Sequence, residues 1–166
     1  DGGSWPAGSQ TTAAAMERTG AAPDADGEWC SNDAIHRNGT DAAGYPVNGT
    51  PRAPFSGACG EPTRTSTRTP TPTGSGTATA TRTPTAAFPP ASYPPHSLVI
   101  NEVAWAGTTA DANDEWIELW NPGGADIDLS GWMLTDGGDI SISLAGSIST
   151  GGFFMLERSG DDTLSD

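Results

Sequence analysis

With 166 residues the chain has room for one domain or two small ones; 34% hydrophobic residues, beside 22 Gly and 14 Pro, rule out uniform packing along its length. A net charge of −14 repels phosphate backbones and anionic bilayers, which argues against direct nucleic-acid binding. No run approaches the roughly 18 apolar residues that a membrane span needs, so no span is expected.

The charge is unevenly spread. Residues 97–166 hold 13 acids against Arg158 alone, and residues 1–62 hold 8 acids against Arg18, Arg37 and Arg52. The stretch between them carries Arg64, Arg68 and Arg82 with no acid. Such an acidic shell keeps a protein soluble, and it also makes a bound divalent cation worth testing. The chain enters mid-element at Asp1 and stops after TLSD, so both ends read as cut.

In chain order, SWPAG (4–8) reads as an edge or turn, because Pro6 cannot donate to a central ladder. TTAAAMERT (11–19) reads as a weakly hydrophobic strand, and GAAPDADGEWCSNDA as a long loop anchored by Trp29. Residues 38–56 alternate turn signals with isolated apolar residues and read as irregular surface chain. Asn38 and Asn48 each open an Asn-Gly-Thr pattern that fits N-glycosylation, which chance explains as well in so glycine-rich a stretch. Residues 63–96 are dominated by Thr and Pro, with little to bury. They read as a disordered, extended linker or stalk, a composition that also suits O-linked sugars.

Beyond Ser97, strand follows strand. LVINEVAW (98–105) and EWIELW (115–120) are rich in β-branched and aromatic residues, and Ala106–Asp114 between them supplies loop residues. NPGG (121–124) breaks the chain, GWMLT (131–135) begins another strand, and ISISLAG (140–146) and GGFFMLER (151–158) supply two more. About five strands at short spacing predict an all-β fold, an antiparallel sandwich.

VINEVAW (99–105), EWIELWNP (115–122), DLSGWMLTD (128–136) and GGFFMLER (151–158) resemble, in order and spacing, the lamin tail domain, an immunoglobulin-like β-sandwich found in nuclear lamins and many exported bacterial proteins. WPAG (5–8), AMER (15–18) and residues 32–54 resemble the closing strands of bacterial members. The resemblance implies that residues 1–62 are the C-terminal portion of one such domain and residues 97–166 the N-terminal portion of a second. Each sandwich is then incomplete at a chain end. It follows that the two portions can pair within the chain, bringing Met16 against the Ile117/Leu119 strand and covering edges left bare otherwise. The family has no characteristic catalytic residues. The resemblance therefore implies a non-catalytic, secreted or surface-exposed module for tethering or for binding a protein or carbohydrate ligand. Two alternatives are an accessory region of a larger exported hydrolase or nuclease, and a calcium-dependent adhesion module.

The residues themselves offer no catalytic set. His36 and His96 lack a carboxylate at motif spacing, and the chain contains no lysine. Glu102, Glu115 and Glu118 lie on neighbouring strands, which formally permits two-carboxylate hydrolysis. Glu115 and Glu118 nevertheless face opposite ways, and cross-strand hydrogen bonding at a rim explains the set better. The acidic loops DADGEW (24–29) and DANDEW (111–116) supply Asp24, Asp26, Asp111, Asn113 and Asp114 as candidate calcium ligands; the alternative is Asx turns in solvated loops. No other cofactor is indicated. Trp116 and Trp120 share a strand face and are candidate binding aromatics, with Ile117 and Leu119 expected inside and both tryptophans flanking loops. Cys30 and Cys59 lack metal-type spacing; in an exported protein they form either a disulfide or two free thiols.

Overall fold

In a computed structural model, residues 5–55, 57–60, 93–136, 138, 140–158, 160 and 164 are described. They form an all-β fold built on one six-stranded antiparallel sheet. Its strands are β1 (Met16–Arg18), β2 (Trp29–Asn32), β3 (Cys59–Gly60), β4 (Val99–Ala104), β5 (Trp116–Trp120) and β10 (Phe153–Glu157). They lie in the order β10-β5-β4-β1-β2-β3. Two short pairs complete the set: β6 (Ile127–Asp128) with β9 (Ser147–Ile148), and β7 (Met133–Thr135) with β8 (Ser141–Ser143).

The sheet is composite. β1, from the first segment, pairs with β4, from the last, with Met16 opposite Val103 and Glu17 opposite Glu102. Met16 is buried with Ala7 and Val103, and Ile117 packs against that cluster. The two acidic segments are therefore parts of one sheet. The expected linker residues 63–92 lie outside the described residues. Tyr93, assigned to the same linker, instead packs on the core and tilts against Trp132. An aromatic ring beside an apolar layer is worth more buried than as spacer.

Strand alternation divides the sheet into two unlike faces. One presents Met16, Val103, Ile117, Leu119, Phe154 and Leu156 to an apolar core closed by Ile127, Leu129, Leu144 and Ile148 from the β6–β9 layer. Leu129 is fully buried. The opposite face carries Glu17, Glu102 and Glu118 in one cross-strand row, beside Trp116, Ala104 and Met155.

Some elements differ from the sequence expectation. Residues 11–19 are not one strand: a tight turn closed by Ser9 and Ala14, with Ala13 at φ 48°, precedes β1. Trp29–Asn32, expected as loop, is β2, because Ser31 and Asn32 are tied down by hydrogen bonds rather than apolar contact: Ser31 Oγ accepts from Gly8 N–H at 2.9 Å. Of ISISLAG only Ser141–Ser143 is strand, β8; the chain turns at Gly146 (φ 95°) before β9, and Ile140 and Ile142 stay about 40% exposed.

Candidate functional site

The site is the glutamate row and the backbone strap that covers it. The β1–β4 and β4–β5 registers set Glu17 opposite Glu102 and Glu102 opposite Glu118, so three carboxyls stand side by side on three adjacent strands. All three are 0% exposed. Residues 47–53, reached through a turn in which Asp41 Oδ1 accepts from Ala43 and Tyr45 N–H, lie across them. Thr50 N–H donates to both Glu102 oxygens at 3.2 and 3.1 Å, Thr50 Oγ1–H to Glu17 Oε1 at 3.0 Å, and Arg52 N–H to Glu118 Oε2. The amides of Asn32 and Asn101 donate to Glu17 Oε1 and Glu118 Oε1, each at 2.7 Å.

The strap fits because of its glycine. A Cβ on Gly49 would overlap Glu102 Oε1 and crowd Trp116 and Ala15, so any larger residue lifts the strap from the row. Val47 and Ala15 fasten the same stretch to Trp116 and Ala104 through apolar contact. Ala15 N–H donates to Asn48 O at 2.8 Å, which aligns strap and β1 lead-in side by side.

Burial sets the protonation of the row. It raises the Glu118 carboxyl to about 7, against the lowering effect of the donors Arg52 and Asn101. It raises Glu102 well above the ordinary carboxylate value, and the neighbouring Glu17 and Glu118 add to that rise. Glu17 is raised too, again chiefly by burial, while Asn32 and Thr50 pull it down. Nearby Asp33 behaves oppositely: donors from His36 and Ile35 hold it at about 2. A shifted carboxyl often marks a catalytic acid or base. Here the shifted groups are sealed from solvent, and their described partners belong to the strap and the sheet. The row works as a structural clamp for irregular chain.

Glu102 and Glu118 thus meet, but in the sheet interior rather than at a rim. Glu115 lies apart and binds Arg158 Nη1 at 2.6 Å. Glu17 gives no signal in sequence, being one acid in an alanine-rich stretch; its cross-strand position emerges only from the β1–β4 register. Asn101 carries the one legible hint, a polar residue within the apolar run VINEVA.

The other sequence candidates are scattered. Trp116 is a buried core residue at 2% exposure rather than a loop flank, because its ring fills the space beneath Val47 and Ala15. Trp120 is half-buried and stacks on Phe153. Asp24 accepts from the Trp29 indole N–H at 2.8 Å and lies 3.6 Å from Arg18, whose guanidinium covers the Trp29 ring. That knot holds Trp29 as a loop anchor. Asp26 opens a single 3-10 turn and is exposed. Asp111 Oδ1 accepts from the N–H and side-chain amide of Asn113, and Asp114 Oδ2 accepts from Thr108 Oγ1–H at 2.9 Å. Among the described residues no group of three or more His, Cys, Asp or Glu is placed to hold a metal ion. His36 Nδ1 lies 2.7 Å from Asp33. Asn48 is buried, and its amide donates to Thr12 O at 2.6 Å, so a sugar there would have to break that bond. Cys30 and Cys59 are joined as a disulfide with Cα atoms 5.5 Å apart, tying β2 to β3. Among the described residues no helix is long and apolar enough to cross a membrane.

Comparison with known proteins agrees with this architecture over the second segment. Nothing among curated proteins or solved structures matches the chain. The family whose model does match is the Lamin Tail Domain, a non-catalytic immunoglobulin-like fold, and the match covers residues 91–164.

Proposed function

We propose that this chain is a non-catalytic module that works outside the cytoplasm, in surface tethering or in binding a protein or carbohydrate ligand. The observation that carries the reading is the sealed glutamate row: the strongest carboxyl perturbations among the described residues are spent on holding a strap, not on an open cleft. The Cys30–Cys59 bridge supports the location, since such bonds persist in oxidising compartments. The Trp120–Phe153 stack offers a partly exposed aromatic surface of the kind that ligands use.

The test has two arms. Chain exported to an oxidising compartment is expected to show no free thiol and to retain a ligand class on glycan and protein arrays, with Trp120→Ala weakening retention. Turnover of ester, phosphodiester or glycoside substrates by the chain alone would refute the non-catalytic reading. Two free thiols in the exported protein would refute the location.

A further inference from the structure

The glutamate row joins segments far apart in sequence, and one strap, with donors to all three carboxyls, lies across it beside the amides of Asn32 and Asn101. Thr50 and Arg52 N–H groups of that strap end on Glu102 and Glu118, and Thr50 Oγ1 ends on Glu17. We propose that the row is a proton-dependent latch: carrying protons, it holds residues 47–53 against the sheet, and losing them releases that strap while the sheet stays formed.

Three carboxyls on directly opposed cross-strand positions cannot all be charged in a sealed site without mutual repulsion. Glu17 Oε2 is buried with no hydrogen-bond partner among the described residues, so ionisation there gains no new donor. The charged groups facing the row are few. From β1, β4 and β5 come Glu17, Glu102 and Glu118 themselves; from the turn after β2 come Asp33 and His36, which act on Glu17 with opposite sign; from the strap comes Arg52, which favours charge on Glu118. β10 contributes the neutral Met155 opposite Glu118. One cation and one histidine do not balance three carboxylates and an aspartate. Lifting the strap hydrates the row and removes the imbalance. The larger apolar cluster lies on the other sheet face and is not disturbed by that motion, which on the strap side withdraws Val47 from Trp116 and Ala104.

The sign follows from proton linkage. The closed form holds protons more tightly than the open one, so opening becomes easier as pH rises. For Glu118 the ordinary value of 4.5 becomes about 7 when closed. That difference makes the opening constant about 300-fold larger above neutral pH than below pH 4.5, before Glu102 and Glu17 add their shares.

Amide hydrogen exchange on the full chain tests this, with rates corrected for intrinsic exchange between pH 5 and pH 8. The Thr50 and Arg52 amides are expected to lose protection by about 70-fold or more across that range, the share from Glu118 alone, while Ile117 and Leu119 keep theirs. In Glu118→Gln the slope flattens, whatever the variant's absolute stability. Carboxyl-carbon NMR titration of the unsubstituted chain supplies a second readout, in which one glutamate titrates near 7. Flat protection of Thr50 and Arg52, loss of protection shared equally by Leu119, or no glutamate titrating above about 5.5 each overturns the latch.

Discussion

Replacing the middle carboxyl of the row with its amide, Glu102→Gln, should make the protein more stable at pH 8, although it removes a buried hydrogen-bonded acid. Glu102 stands directly opposite both Glu17 and Glu118. Opposed cross-strand positions put Cβ atoms about 5 Å apart. Two like charges at that spacing repel by about 3 kcal/mol at an effective dielectric of about 20. Against this, Thr50 N–H exchanges a charge-assisted acceptor for a neutral one, a loss of about 1 kcal/mol. The new amide can also donate to Glu17 Oε2, which has no partner among the described residues. The net gain is about 2 kcal/mol at pH 8, or roughly 4–8 °C in Tm for a chain of this size. Burial and the neighbouring carboxyls favour the protonated form of Glu102, so the gain should shrink as the pH is lowered to 5. Thermal melts of both proteins at the two pH values decide the matter. Equal destabilisation at pH 5 and pH 8 would refute the reasoning, for it would mean that Thr50 requires a charged acceptor.

Other consequences are as direct. Reducing the Cys30–Cys59 bridge, which spans a sequence separation of 29, should cost about 3.5 kcal/mol through loop entropy, read by urea unfolding with and without reductant. An unchanged midpoint would show that β3 contributes no closure. Leu129→Ala, at a fully buried position, should cost about 2–5 kcal/mol in the same assay. Gly49→Ala should destabilise by roughly 3 kcal/mol, from crowding against Glu102 and Trp116 and a weakened Thr50 contact, and should speed exchange at the Thr50 amide. Calcium against chelator should leave the melting temperature unchanged, since an oxygen of each of Asp111 and Asp114 already accepts from donors in its own loop; a calcium-dependent rise would favour the adhesion reading.

The strands legible in sequence are those whose own composition forces burial. VINEVA, WIELW and FFMLE announce themselves by β-branched and aromatic density, and their alternation correctly puts Leu119 inside. WCSN does not, because its Ser31 and Asn32 are held by hydrogen-bond partners many residues away, which no local pattern reveals. The site fails to appear for the same reason. Glu102 and Glu118 are visible as acids within apolar strands, but Glu17 joins them only through a pairing across 85 positions. Gly49 looks like one more glycine in a turn-rich stretch until the carboxyl beneath it is placed. The two-faced character of Trp116 misled in the other direction: alternation puts it opposite Ile117, and an acidic face looks solvated until a strap is seen lying over it.

The insertion of β1 between β4 and β2 also has a temporal side. Glu17 leaves the ribosome 85 residues before the Glu102 that it must face. At ordinary translation rates of 5–20 residues per second, that is a wait of roughly 4–17 s. Throughout the wait the first segment has an unsatisfied acid and an open strand edge, and it is at its most vulnerable to proteases and to neighbouring nascent chains. Folding of this protein is therefore gated by the arrival of the segment from Val99 on, and a pause in synthesis before Val99 should cost more folded yield than one after it.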